Sequence, residues 1–115
     1  MDQTFHITED TSRPVPVVSA SGEIDVATAP PLRDRLQALT ASGRSTVVVD
    51  LLGVTFLDST ALGVLVGALK RCRESGGDLS LVITEPRILK VFEITGLTDV
   101  FPIHATVDEA VGSAE

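Results

Sequence analysis

Residues 45–74 read STVVVDLLGVTFLDSTALGVLVGALKRCRE, and this stretch decides how the rest of the chain folds. It opens with valines at positions 47–49, a β-branched apolar run that is typical of a strand buried on both faces. Such a strand belongs in the middle of a sheet. We predict that it ends near Asp50, where the chain turns before the apolar step at residues 54–57.

A helix is predicted to begin near Ser59. The polar step at residues 58–60 precedes the apolar segment 61–69, and Asp, Ser and Thr side chains cap the N–H groups that a first turn leaves unpaired. The helix is apolar almost all round and basic only at its end, so we expect it to be buried. Gly63 and Gly67 share one face, where tight packing on the domain's own sheet is favoured over close approach by another chain.

The start of this helix is also the candidate functional site. The hydroxyls of Ser59 and Thr60 are predicted to lie beside unpaired N–H donors, at the helix end where the dipole favours an anionic group. A phosphoryl group on Ser59 fits this position, with Thr60 as a second candidate acceptor. Serine and threonine at a helix start are also common as plain caps, so the residues alone leave both interpretations open.

Residues 47–71 closely resemble the signature of the STAS domain, and specifically that of the bacterial anti-sigma factor antagonists. The positions that carry this resemblance are Asp50, Leu51, Val54, Phe56, Asp58, Ser59, Thr60, Leu62 and Gly63. Ala61 departs from the pattern, because the family commonly has glycine there. Since alanine is strained at positive φ, this departure predicts a slightly different helix start. Residues 22–25, Gly-Glu-Ile-Asp, resemble a second motif of the family, G-E-L-D.

The resemblance implies a phosphorylation switch. In the family, a partner kinase phosphorylates the serine that matches Ser59. The unmodified form binds an anti-sigma factor that is also an ATP-dependent serine kinase of the histidine-kinase-like ATPase fold, and this binding frees a sigma factor. Phosphorylation of Ser59 ends the interaction. A PP2C-type phosphatase restores binding. The partner-binding residues that the resemblance implies are Asp25, Asp58, Ser59, Thr60, Leu62 and Gly63.

Two alternatives remain open at this stage. Asp25 is equally compatible with a loop carboxylate that caps the next helix, and one acidic side chain can serve both roles. The whole chain could instead be a constitutive STAS scaffold, for example a subunit of a membrane transport system or of a stress-sensing assembly, with Ser59 acting only as a cap.

The composition limits the functions that are open to this protein. Its 115 residues fit one STAS domain over residues 1–115. A formal charge of −7 and the lack of Trp and Tyr oppose nucleic-acid binding. No leader pattern opens the chain and no apolar run approaches the roughly 20 residues of a membrane span, so we predict a cytoplasmic protein without direct membrane insertion. The single cysteine, Cys72, is expected to be a small packed residue.

The remaining elements follow from periodicity and turn signals. Alternating strand and helix patterns predict an α/β fold, with a mixed sheet of about four to five strands and about four helices, as in STAS domains. The early strand pair is expected to be antiparallel, with Pro16 either on an edge strand or at the first residue of its strand. The predicted elements are strands near residues 5–7, 15–21, 79–83 and 100–103, and helices at 26–41 with Thr28 as N-cap, at 86–96, and from Thr106, which opens a capping box.

No enzyme is predicted. His6 and His104 have no Cys, His or carboxylate at metal-ligand spacing, and no Walker, G-x-G-x-x-G or G-x-S-x-G motif surrounds a candidate group, so neither a metal nor a cofactor is expected. Asp25, Asp50 and Asp58 could be imagined as a magnesium cluster, but Asp50 is better explained as the end of a strand.

Overall fold

The computed structural model describes residues 5–115. Over that range the chain forms a five-stranded sheet with four α-helices and one 3₁₀ turn, in agreement with the predicted α/β class. The elements in chain order are β1 (His6–Asp10), β2 (Val17–Ile24), α1 (Ala29–Ala41), β3 (Val47–Leu57), α2 (Ser59–Glu74), β4 (Leu79–Val82), α3 (Pro86–Ile94), the 3₁₀ turn (Leu97–Asp99), β5 (Ile103–His104) and α4 (Val107–Ala114).

The strands lie side by side in chain order, from β1 to β5. β1 runs antiparallel to β2 and the other neighbours are parallel, so β3 is the central strand and β1 is an antiparallel addition at one edge, as predicted. Pro16 immediately precedes β2, which is an interior strand, and its carbonyl accepts the N–H of Val48 at 3.0 Å. Of the two predicted positions for this proline, the start of the strand is therefore the observed one.

The prediction that Asp50 ends the central strand is wrong. β3 is 11 residues long and continues past Asp50 to Leu57. The Asp50 carboxylate accepts the Ser19 hydroxyl at 3.0 Å and the N–H of Leu52 at 2.9 Å, so its charge is satisfied inside the sheet and the ladder to β2 continues. A Cβ on Gly53 would lie 2.8 Å from the Ser21 Cβ, so this close approach of the two strands requires glycine.

The core occupies both faces of the sheet. On one face, side chains of β2, β3 and β4 pack with the apolar faces of α1, α2 and α3. On the other face, Val48 and Val82 pack against Ala110 and Val111 of α4. Val48 and Val49 thus point to opposite clusters and both are fully buried, which explains why the sequence has a continuous valine run here.

Helix α2 is less buried than predicted. Its sheet-facing residues are Ala61, Leu65, Ala68, Leu69 and Cys72. Leu62, Val64 and Val66 are only half-buried, and Gly63 is exposed. The burial of Cys72 agrees with the prediction, and it raises the pKa of the thiol, which therefore stays protonated at neutral pH.

The favoured interpretation of Gly63 and Gly67 is also wrong. A Cβ on Gly63 would meet nothing within 4 Å, and one on Gly67 would meet only the Arg71 Nη1, at 3.6 Å. Both glycines lie on the side of α2 that faces away from the sheet, because they are out of phase with the buried positions Ala61 and Leu65. Packing on the domain's own sheet therefore does not explain them.

The C-terminal part of the chain follows the prediction more closely. α3 ends before Gly96, which has a φ of +74°, and the Thr106 hydroxyl accepts the N–H of Glu109 at the start of α4. β5 begins only at Ile103, because the N–H groups of Val100 and Phe101 both donate to the carbonyl of Leu97 at 3.0 Å. The Phe101 ring is buried against Phe92, edge to face at 5.9 Å. No helix in residues 5–115 is long and apolar enough to cross a membrane.

Candidate functional site

The predicted site residues meet at the C-terminal edge of the sheet, which is the side where the parallel strands β2 and β3 end and not the lateral edge formed by β1. Ile24 and Leu57 are register partners in these two parallel strands, and the N–H of Asp58 donates to the carbonyl of Ile24 at 3.2 Å. Asp25 and Asp58 follow directly after this pair. Because the carboxyl ends of neighbouring parallel strands meet at one edge, the structure brings together two segments that lie 33 positions apart in sequence.

Asp58 is the N-cap of α2. Its backbone is extended, its Oδ1 accepts the N–H of Ala61 at 3.1 Å, and its carbonyl accepts the N–H of Leu62 at 3.1 Å. Ser59 is therefore the first helical residue rather than the cap, and both Ser59 and Thr60 are exposed. The hydroxyls of these two residues take no part in the cap bond, which comes from the Asp58 carboxylate.

Ala61 does not adopt the positive φ at which alanine would be strained. Ala61 is fully buried inside the first turn of α2, and no non-glycine residue in the described range 5–115 has a positive φ. An alanine therefore fits this helix start without backbone strain. The small side chain also lets the first turn lie close to the sheet.

Asp25 closes the loop into α1, as the capping alternative proposed. Its Oδ1 accepts the N–H of Ala27 at 2.9 Å and that of Thr28 at 3.2 Å, while its carbonyl accepts the N–H of Ala29 at 2.8 Å. Thr28 holds the N-cap position, as predicted, although its side chain makes no cap bond. Its hydroxyl instead donates to the carbonyl of Glu23 at 2.8 Å and accepts the N–H of Asp25, which fixes the same loop.

The remaining predicted residues lie on two sides of α2. Gly63 is exposed and shares a helix face with Ser59 and Thr60, since it lies four and three positions after them. Leu62 is half-buried and packs against the core cluster. The exposed stripe at the helix start thus consists of two hydroxyls and a glycine, which leaves room for a partner surface to come close.

Sequence reasoning did not identify two exposed apolar side chains at this edge. Val26, directly after Asp25, is 72% exposed, and Phe56, two residues before Asp58, is 49% exposed. Phe56 belongs to the apolar residues 54–57 and to the positions that carry the family resemblance, but neither observation predicts that its side chain is exposed. The residues Phe56 and Leu57 are both apolar, so only the strand register decides which of them points into the core.

The site is acidic and holds no metal-ligand cluster. The segments 21–28 and 54–64 contain Glu23, Asp25 and Asp58, and neither segment contains a lysine or an arginine. Within residues 5–115, no group of three or more His, Cys, Asp and Glu side chains is arranged to hold a metal ion. The imagined cluster of Asp25, Asp50 and Asp58 does not form, because Asp50 lies within β3 and is bonded to Ser19.

The Asp58 cap allows a direct test of the site's structure. We expect Asp58→Ala to lower the free energy of unfolding by about 1 kcal/mol, because the N–H of Ala61 loses its acceptor. Asp58→Asn should lose only a few tenths of a kcal/mol, since asparagine caps almost as well. Urea unfolding of both variants measures the difference. Equal losses in the two variants would mean that the cap bond is not the source of the effect.

Comparison with known proteins shows the family of this chain. The family model for the STAS domain matches residues 6–110. The chain is 40% identical over 94 residues to the anti-sigma-B factor antagonist of Bacillus subtilis, which covers 82% of this chain and 85% of that protein. The crystal structure of an anti-sigma factor antagonist from Mycobacterium paratuberculosis superposes with a TM-score of 0.88 at 30% identity, covering 99% of this chain and 97% of that one.

A more distant structure shares the fold alone. The Bacillus cell fate determinant SpoIIAA, solved in its phosphorylated form, superposes with a TM-score of 0.74 at 23% identity, over 97% of this chain and all of that one. The five-stranded sheet and its helices are thus common to proteins whose sequences have diverged widely.

Proposed function

This chain belongs to the STAS domain family, and we propose that it is an anti-sigma factor antagonist, a regulatory binding protein rather than an enzyme. Its unphosphorylated form binds an anti-sigma factor and thereby releases a sigma factor. The names of its relatives support this role, and the relative from Bacillus subtilis is matched over most of its length. We propose that residues 1–115 act as one STAS domain in the cytoplasm, where transcription takes place.

In this proposal Ser59 is the switch. The anti-sigma factor is also a serine kinase of the histidine-kinase-like ATPase fold; it phosphorylates Ser59, and a PP2C-type phosphatase reverses the step. The observation that carries the proposal is that Asp58, and not Ser59, caps α2. The Ser59 hydroxyl is therefore exposed at a helix start and is not needed to hold the fold. Thr60, which is also exposed, remains the second candidate acceptor.

The partner surface in this proposal comprises Asp25, Asp58, Ser59, Thr60, Leu62 and Gly63. A phosphate adds about −1.5 to −2 charges to an edge that already carries three carboxylates, and it must lose its water when a partner covers it. N–H groups at the start of α2 reduce the cost of the phosphate within the free domain. Phosphorylation therefore ends binding without unfolding the antagonist.

Phosphate transfer tests this assignment. The wild-type protein is used as bait in an extract of the native cell, and a retained anti-sigma factor, identified by mass spectrometry, is purified and incubated with ATP and the antagonist. We expect one phosphate on the wild type and on Thr60→Ala, and none on Ser59→Ala. Phosphate on Thr60 in the Ser59→Ala variant would move the switch to Thr60, and failure to retain any anti-sigma factor would contradict the proposed function itself.

The constitutive scaffold is the weaker candidate. It assigns Ser59 to a capping role, whereas the cap bond to Ala61 comes from Asp58. A membrane transport subunit retained equally by the wild type and by Ser59→Asp would favour the scaffold.

A further inference from the structure

Two exposed apolar side chains lie at the same end of the sheet as Ser59. In the described part of the chain, five large apolar residues are markedly exposed: Val26, Leu52, Phe56, Ile94 and Val100. Val26 lies in the loop between β2 and α1, and Phe56 is the second-to-last residue of β3, two positions before Asp58. Both therefore belong to the edge of the sheet that carries Ser59, whereas Ile94 ends α3 and lies toward the opposite edge.

The strand register explains why Phe56 is exposed. Phe56 pairs with Glu23, and the next pair, Ile24 and Leu57, points into the core formed with α1 and α2. Because successive side chains of a strand point to opposite faces, Phe56 lies on the other face of the sheet. On that face α4 packs against Val48 near the start of β3, so no helix covers Phe56 at the far end.

From this arrangement we propose that Phe56 and Val26 are the apolar anchors of the surface that docks the anti-sigma factor. Exposed aromatic and aliphatic side chains next to a functional group are typical of interface anchors, which contribute most of the binding energy when they enter a dry pocket. The proposal rests on the proposed function and extends its partner surface by two residues that lie next to Asp25 and Asp58 in sequence.

Charge indicates what the partner pocket is like. The residues around the two anchors are Glu23, Asp25 and Asp58, with no lysine or arginine in either segment. A complementary partner offers an apolar pocket rimmed by basic side chains. Arg87 lines a shallow pocket with residues 52–55, and its guanidinium is paired with Glu85 at 3.5 Å. Leu52 lines this pocket with the cation and Phe56 does not, so Leu52 is not one of the two anchors.

The anchors also explain how one phosphate can end binding to a basic partner. Such a partner attracts the charge of the phosphate, so repulsion alone does not release it. However, Phe56 and Val26 contribute only when water leaves the interface, and a phosphate on Ser59 holds its hydration shell at the same edge. The phosphate thus prevents the close, dry approach that the apolar anchors require.

Titration calorimetry with matched variants tests the anchors. The probe is the purified anti-sigma factor that the wild-type bait retains, and each variant is the full chain. We expect Phe56→Ser to weaken binding about 30-fold and Val26→Ser about fivefold. Ile94→Ser is the control, because Ile94 is 73% exposed and Val26 72%, but Ile94 lies away from the site; it should change binding less than twofold. The negative heat-capacity change of binding should also become smaller in Phe56→Ser, because less apolar surface is buried.

The outcomes separate the two proposals. If Phe56→Ser and Val26→Ser both bind like the wild type while Ser59→Asp does not, the anchors are refuted and the switch stands. If Ile94→Ser weakens binding as much as Val26→Ser, the apolar contact is not local to the site and the proposal fails. Thermal melting of each variant shows whether it is folded. Val26 lies in a loop and is mostly exposed, so its variant tests the proposal even if Phe56→Ser does not fold.

Discussion

Replacing Ser59 by aspartate is expected to weaken binding of the anti-sigma factor by at least about 100-fold. That factor corresponds to about 3 kcal/mol. The cause is that a charged side chain at position 59 keeps its hydration shell where the apolar contacts of the interface need a dry approach. The new carboxylate lies beside Asp58, whose own carboxylate is already used by the N–H of Ala61. The carboxylate at position 59 must therefore lose its water in the complex without gaining the N–H of Ala61 as a donor. Titration calorimetry or surface plasmon resonance with the purified partner measures this effect.

Two variants at the same position separate charge from shape. Ser59→Asn has nearly the size of Ser59→Asp and no charge, so it should bind far more tightly than the aspartate variant. Ser59→Ala should bind like the wild type, because the serine hydroxyl makes no cap bond. All three should melt within a few degrees of the wild type, since polar and acidic residues are tolerated in the first turn of a helix. Equal affinity of the aspartate variant and the wild type would refute the switch.

The largest effect on stability is expected from Leu65→Ala. Leu65 lies in the middle of α2, is 0% exposed, and belongs to the core cluster that joins this helix to the sheet. Truncation of such a side chain removes its buried area and leaves a cavity, so we expect a loss of about 3 kcal/mol in the free energy of unfolding. For a domain of this size the melting temperature should fall by about 10 °C.

The matched control is Val66→Ala on the same helix. Val66 is only half-buried, so its truncation should cost less than about 1 kcal/mol. Guanidinium unfolding of both variants gives the two free energies. If Leu65→Ala remains folded, its binding of the anti-sigma factor at low temperature should be nearly unchanged, because Leu65 faces the sheet and Ser59 faces solvent. Similar losses in the two variants would mean that α2 is not anchored through Leu65.

Local patterns in the sequence determined the type and order of the elements. The valine run at residues 47–49 predicted the central strand, because both faces of that strand are covered. The polar step before Ala61 predicted a helix beginning at Ser59, and this is where α2 begins. Gly96 and Thr106 marked a helix end and a helix start, since positive φ and N-cap geometry favour these residue types. Each of these features depends on a few neighbouring residues, so the sequence carries it directly.

The tertiary structure decided which partner satisfies each polar group and which side of an element meets solvent. Asp50 was expected to end β3, but a hydroxyl on the neighbouring strand, at Ser19, bonds its carboxylate within the sheet. Gly63 was expected to pack on the sheet, but it faces solvent. Phe56 and Leu57 are indistinguishable by hydrophobicity, and their register with β2 places one outside and the other inside. Contacts between strands and helices far apart in sequence set these outcomes, because a local pattern fixes periodicity but not the neighbour that each face meets.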